Sequence, residues 1–131
     1  YSAGITENAA LGTYSSYDNA ILAYQNGYKI GQSPELLGFI AYCWSRMGAY
    51  DKAIETINLA IDKVPQNMSY REDLVTFRAE TGHFEDAIWD VTKLIEQQPD
   101  NHQLYYDRGL YNFELDRFDE AINDFNTALA L

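Results

Sequence analysis

The stretch GAYDKAIETINLAIDKVP, Gly48 to Pro65, decides the fold because its grammar returns. It reappears as GHFEDAIWDVTKLIEQQP, Gly82 to Pro99, and again as DRFDEAINDFNTALAL, Asp116 to Leu131. A catalytic site occurs once in a chain, whereas a motif at fixed spacing is architecture. Ala53, Ala87 and Ala121 stand 34 residues apart, and Tyr50, Phe84 and Phe118 keep the same step. So do the pairs Gly48 and Gly82, and Pro65 and Pro99. An upstream copy, SSYDNAILAYQNGYKIGQ, carries Tyr17 and Ala20, with Ala20 lying 33 residues before Ala53.

Each copy reads as an amphipathic helix. Ala53, Ile54, Ile57, Ala60, Ile61 and Val64 follow the i, i+3, i+4, i+7 spacing of one helical face. Gly48 permits the positive backbone angle of a tight turn before it. Pro65 and Pro99 cannot extend the preceding helix, and Asp51 and Asp119 stand where a helix-starting cap is wanted. The pattern predicts helices at about 3–14, 18–30, 34–47, 51–63, 68–81, 85–97, 102–115 and 119–131, with ends good to about 2–4 residues. Gly4 and Gly12 weaken the first of them.

Composition bounds the rest. The 131 residues are 47% hydrophobic and 22% charged, which is enough to bury a core and unlike a disordered chain. No apolar run approaches the roughly 20 residues of a membrane span. Twenty acids against nine bases give a net charge of −11. That charge disfavours nucleic acid, whose phosphates require clustered Lys and Arg. Cys43 is the single cysteine, so intrachain disulfides and all-cysteine metal sites are excluded. A lone thiol suits the cytoplasm and is compatible with export. The chain opens on Tyr1 and not on Met, from which a fragment or a processed form is expected.

The 34-residue step, the small residue, the aromatic and the closing proline together resemble the tetratricopeptide repeat, a helix–turn–helix unit. The resemblance covers essentially the whole chain and is weaker before Tyr17. It implies an all-α fold, a right-handed superhelix of antiparallel helical hairpins, forming one repeat domain with units of about 1–33, 34–67, 68–101 and 102–131. Stacking would follow because a single hairpin cannot bury its apolar face alone. Counting each unit from Pro34, Met68 and His102, the family's small eighth residue is matched by Ala41 and Gly109, but Val75 is larger and should push its helices apart. The bulky fourth residue is matched by Leu37 and Tyr105 but not by Arg71. The aromatic eleventh is matched by Trp44, while Arg78 and Asn112 depart from it.

The resemblance also implies a partner-binding inner surface built from the first helix of each unit. Its family positions translate to Glu35, Phe39, Tyr42, Ser45 and Arg46, then Ser69, Glu72, Asp73, Thr76, Ala79 and Glu80, then Gln103, Tyr106, Asp107, Leu110, Phe113 and Glu114. Six carboxylates against one arginine make an acidic groove containing aromatics. Such a groove suits a peptide or protein segment carrying Lys or Arg and an apolar anchor. The alternative is that these carboxylates are a solvated face. Family members that grip acidic chaperone tails use Lys, Arg and Asn here, whereas this chain has Gly38, Tyr42, Asp73, Gln103 and Asp107. Those residues would repel a carboxylate.

Other conspicuous residues read as structure. Arg108, in the Arg-Gly pair common in this repeat, is expected at least half buried and bridged to Asp90 or Asp124. Trp89 stands where neighbouring units carry Glu55 and Asn123. It either marks a second contact surface or, as favoured here, folds onto Arg78 or an aliphatic stem as a cation–π contact. Cys43 reads as core, and His83 and His102 fit no metal spacing. No phosphate loop or nucleophile elbow is present. No catalytic, cofactor or metal residue is therefore expected, and the chain reads as a non-enzymatic interaction scaffold. The competing reading is self-association: Ala121, Ile122, Phe125, Ala128 and Leu129 form an apolar face that could support a symmetric homodimer through the C-terminal helix.

Overall fold

Of the stripe read from the sequence, Ala53, Ile57, Ala60 and Ile61 are buried, while Ile54 and Val64 are half-buried. One repeat later Ala87, Val91, Leu94 and Ile95 are buried. The computed structural model describes residues 5–131, with side-chain environments from residue 16 onward. Among the described residues it holds seven α-helices and no strand. They are α1 (Ile5–Gly31), α2 (Pro34–Arg46), α3 (Tyr50–Lys63), α4 (Met68–Glu80), α5 (Phe84–Gln97), α6 (His102–Glu114) and α7 (Phe118–Ala130). The chain divides into two compact units, Tyr1–Gln66 and Asn67–Leu131.

In the first unit α2 packs against both α1 and α3, and in the second α4 to α7 pack in chain order. Three hairpins result, α2 with α3, α4 with α5, and α6 with α7, each closed by the same turn. Gly48 (φ 80°), Gly82 (φ 79°) and Asp116 (φ 59°) adopt the left-handed conformation at equivalent places. The next amide in each, from Ala49, His83 and Arg117, donates to the carbonyl five residues back, on Trp44, Arg78 and Asn112, each at 2.9 Å. This bond satisfies a carbonyl that the helix end would otherwise leave unpaired. Each following helix then starts without a side-chain cap, at Ala49, His83 and Arg117.

Two expectations about helix starts are corrected here. Asp51 and Asp119 are not caps; they lie inside the first turns of α3 and α7, where a negative charge complements the helix dipole. The capping residues are Asn67 and Asn101, whose side chains accept from the Tyr70 and Gln103 amides. Helix ends before proline follow the sequence reading. Val64 and Gln98, which precede Pro65 and Pro99, leave the helical region, at φ −134°, ψ 75° and φ −131°, ψ 66°, as expected where a following proline ring disfavours helical backbone.

A third correction concerns the N-terminal region. The helices expected at about 3–14 and 18–30 are one continuous helix, α1, of 27 residues; residues 3 and 4 lie outside the described residues. The reason is local. Ser15 occupies the place held by Gly48, Gly82 and Asp116 in the later copies, and serine gains little in the left-handed conformation. Without a turn former the helix runs on until Gln32, at φ 52°.

Helix pairs tolerate the varied eighth position because its opposite number varies in the other direction. Gly109 faces Phe125, and an added Cβ would lie 2.5 Å from that ring. One repeat earlier Val75 and Val91 share a core cluster with Leu94 and Leu104. In α2 and α3 the same register pairs Ala41 with Ile57, both fully buried. Small opposite large and medium opposite medium fill similar space.

Candidate functional site

In the second unit α4 and α6 both pack on α5. Glu72 and Thr76 reach from α4 and Gln103 and Asp107 from α6 to line one cleft of about 130 Å³, with Asn101 at its end. Its floor is Val75, Val91, Leu94 and Leu104, all buried. Helical spacing places these groups: residues four apart share a face, so Glu72 sits above Thr76 and Gln103 above Asp107. Gln103 Nε2 donates to Asp107 Oδ1 at 2.9 Å, and the Thr76 hydroxyl donates to the Glu72 carbonyl at 3.1 Å.

The electrostatics of this face are negative. Burial raises the Asp107 carboxyl above its ordinary value, partly offset by the Gln103 hydrogen bond. Asp73 keeps exposed surface, but partial desolvation of its carboxyl by the surrounding protein, and then the neighbouring Glu72 charge, raise it. Tyr111, whose ring centroid lies 6.1 Å from that of Phe84, has its phenol pushed up to about 12 by burial, then by Asp107 and Glu80. Desolvation and like charge act together on such a group. Tyr111 was not a sequence candidate; its i+4 spacing from Asp107 was the available signal.

The remaining candidates divide. Asp73, Glu80 and Glu114 are exposed. Tyr106, Leu110 and Phe113 are exposed large apolar residues on α6, but Tyr106 packs on Phe125 at 5.7 Å and Phe113 on Phe118 at 5.6 Å. Tyr106 lines a different, apolar pocket of about 400 Å³ with His102, Gln103, Phe125, Ala128 and Leu129. In the first unit Glu35, Phe39, Tyr42 and Arg46 are all exposed on α2, and the Phe39 ring lies 5.6 Å from Tyr24 of α1. The Ser33 hydroxyl donates to Glu35 and lowers its carboxyl. Ser45 is not on this surface: it is buried, and its hydroxyl donates to the Tyr42 carbonyl at 2.6 Å. Ser69 is exposed, whereas Ala79 packs against the core.

The residues expected to be structural are so. Arg108 is clamped by Asp124 through Nε at 2.9 Å and Nη2 at 2.8 Å, and its Nη1 donates to Thr92 at 3.2 Å. The side chains are 22% and 8% exposed. Asn112 Nδ2 donates to the same carboxylate at 3.2 Å. Arg78 pairs with Asp90, so the departures at the eleventh position, Arg78 and Asn112, are each met by the acid of the following helix. Burial, with the Asp86 charge adding to it, keeps the Asp90 carboxyl above its ordinary value although Arg78 acts to lower it. Cys43 is buried, and burial raises its thiol. Trp89 makes a cation–π contact, but with Lys93 at 4.5 Å and not with Arg78, and it remains 65% exposed. Arg78 is committed to Asp90, while Lys93 lies one helical turn from Trp89. Among the described residues no group of three or more His, Cys, Asp or Glu could hold a metal ion, and no helix is long and apolar enough to cross a membrane.

Comparison with known proteins agrees with this geometry. Residues 77–131 match the tetratricopeptide repeat family model. A sequence comparison with curated proteins returns no match. Among solved structures, a crystal structure of MamA superposes with a TM-score of 0.76 at 19% identity, over 99% of this chain and 75% of that one. A MamA structure from Desulfovibrio magneticus RS-1 gives 0.78 at 14% identity, over 95% and 70%. A tetratricopeptide repeat protein from Parabacteroides merdae gives 0.80 at 20% identity, over 96% of this chain and 51% of that one. Residues 77–131 thus match the tetratricopeptide repeat family, and the chain as a whole shares the helical-hairpin fold of tetratricopeptide repeat structures.

Proposed function

We propose that this chain is a protein-interaction scaffold without chemistry of its own, and that the α4/α6 face of its second unit takes a protein or peptide segment bearing basic and apolar residues. Repeats of this family are generally non-catalytic interaction modules. The observation that carries the finer reading is the cleft in which Glu72, Thr76, Gln103 and Asp107 stand over an apolar floor. Carboxylates steer a cationic segment and disfavour an anionic one, and neighbouring Leu110, Phe113 and Tyr106 offer apolar contact area. Asp73, Glu80 and Glu114 extend the acidic rim. In the first unit Glu35, Phe39, Tyr42 and Arg46 are proposed to form a contact of their own, of mixed charge.

Selection from basic and from acidic peptide libraries tests the reading. Enrichment of Lys and Arg is expected, with capture lost when Tyr106 and Phe113 are both replaced by Ala and helicity is unchanged. Enrichment of acidic peptides contradicts it.

Self-association through α7 is the second reading. It is favoured by Leu129, 85% exposed, and by the apolar pocket that Leu129 lines with Phe125 and Ala128. Light scattering over a concentration series separates the two: a strict monomer removes self-association.

A further inference from the structure

In the first unit a hollow of about 400 Å³ is lined by residues of α1, α2 and α3. Leu37 and Ile40 of α2 close its floor at 4% and 3% exposure, so its accessible apolar surface lies in the walls. There Leu59 of α3 is 50% exposed and Tyr28 of α1 is half-buried. The rim is basic. Lys29 lines it, and Lys63 stands over the Tyr28 ring at 5.7 Å. Among the described residues neither lysine forms an ion pair, in a chain with twenty carboxylates and a net charge of −11. Lys52, Thr56, Leu59 and Lys63 repeat at the spacing of one helical face, while Glu55 and Asp62 fall on the neighbouring stripe. The sign is particular to this unit: the places of Lys29 and Lys52 hold Glu96 and Glu120 in the second.

The second unit carries a surface of the opposite kind. Trp89 on α5 is 65% exposed although Lys93 lies over its ring at 4.5 Å. Glu85, Asp86 and Glu96, all exposed, share its helical face by their spacing, so the patch is net negative. Glu85 already pairs with Arg117 at 3.1 Å, which leaves Asp86 and Glu96 to carry the charge offered to a partner. We propose that the chain self-associates head to tail, the Trp89 face of one copy seated in the α1–α3 hollow of another. The indole then rests against Leu59 and Tyr28, with the Asp86 and Glu96 carboxylates near Lys29 and Lys63. Tryptophan suits such an anchor because it is large and meets a lysine through its π face, and the opposed charges set the orientation. The two surfaces differ, so the contact is heterologous. It is independent of the α4/α6 face, and it puts self-association on surfaces other than α7.

Sedimentation of the full chain over a concentration series tests this. Association is expected, and in a Trp44→Phe background the Trp89 emission should move to the blue as concentration rises. Trp89→Ala, K29E/K63E and D86K/E96K should each weaken association by about tenfold or more, with helicity unchanged. A mixture of K29E/K63E with D86K/E96K should associate again, because each supplies the surface that the other lacks. Leu129→Asp should leave association as it is. A strict monomer at every concentration, association untouched by the three variants, or a mixture that stays apart would overturn the proposal. Association lost in Leu129→Asp and kept in K29E/K63E would place the contact on α7 and overturn it equally.

Discussion

The two units share a helical plan and differ in what holds their hairpins. In the first unit the eleventh position of α2 is Trp44, with Lys52 over its ring at 4.4 Å, and Thr56 stands where the later copies have an acid. In the second unit the same place holds Arg78 on Asp90 and Asn112 on Asp124. One register position is thus closed by an aromatic ring under a lysine in one unit and by polar pairs, one part-buried and one buried, in the other. Charge divides in the same direction. Residues 67–131 carry fourteen of the twenty carboxylates but only five of the nine bases. Backbone geometry tolerates either solution, because the turn and the apolar stripe set the hairpin, and what fills the eleventh position only has to be satisfied. The acidic face proposed to bind lies in the unit whose interior is already polar.

Each unit contains one tryptophan, Trp44 or Trp89, so Trp44→Phe and Trp89→Phe backgrounds report on the units separately by fluorescence. The largest effect is expected from Asp124→Ala, which strands the Arg108 guanidinium and the buried Asn112 amide. The loss should be about 3–5 kcal/mol in denaturant unfolding. Thr56→Ala, its register equivalent in the first unit, should change stability by less than about 0.5 kcal/mol. Similar costs in both units would break the comparison.

Gly109→Ala comes next, with a destabilisation of about 1–3 kcal/mol from overpacking against Phe125. Pairing it with Phe125→Val, which copies the Val75/Val91 solution one repeat earlier, should recover part of the loss. A double-mutant cycle showing no coupling would refute volume compensation.

Asp107→Asn should produce a smaller change of the opposite sign. Burial raises this carboxyl in the folded state above its unfolded value, so the native state binds more protons between the two. Stability therefore falls as pH rises through that window, and the penalty persists at neutral pH. The variant should be more stable than wild type at pH 7 and lose that advantage in acid, as followed by thermal melts at both pH values.

The smallest effect is expected at Trp89→Ala. Its contact with Lys93 is exposed and worth about 0.5–1 kcal/mol. A loss above that range in calorimetric melts would give Trp89 a structural role that its exposure does not suggest.

The helices and hairpins were legible in the sequence where the cue was local. Gly48 and Gly82 announced their turns because left-handed backbone favours glycine, and Ala53, Ile57 and Ile61 announced a buried stripe by spacing alone. Asp116 was less visible, since aspartate tolerates the same conformation without advertising it. The continuity of α1 was missed because the periodicity of a repeat suggests a turn at Ser15 even when the turn former is absent. The capping asparagines 67 and 101 were overlooked in favour of Asp51 and Asp119, since a cap depends on where the helix begins. For the candidate surface, register placed Glu72, Thr76, Gln103 and Asp107 together. It could not show that Ser45 turns inward or that Tyr106 belongs to another pocket, because those outcomes depend on side-chain orientation and on the neighbouring helix.

The most direct test of the account is an amide and methyl shift map of the full chain with a lysine-rich peptide obtained by library selection. The account predicts that the perturbed residues cluster on α4 and α6, centred on Glu72, Thr76, Gln103, Asp107 and Leu110. A footprint centred on α5 and α7, or confined to the first unit, would contradict it.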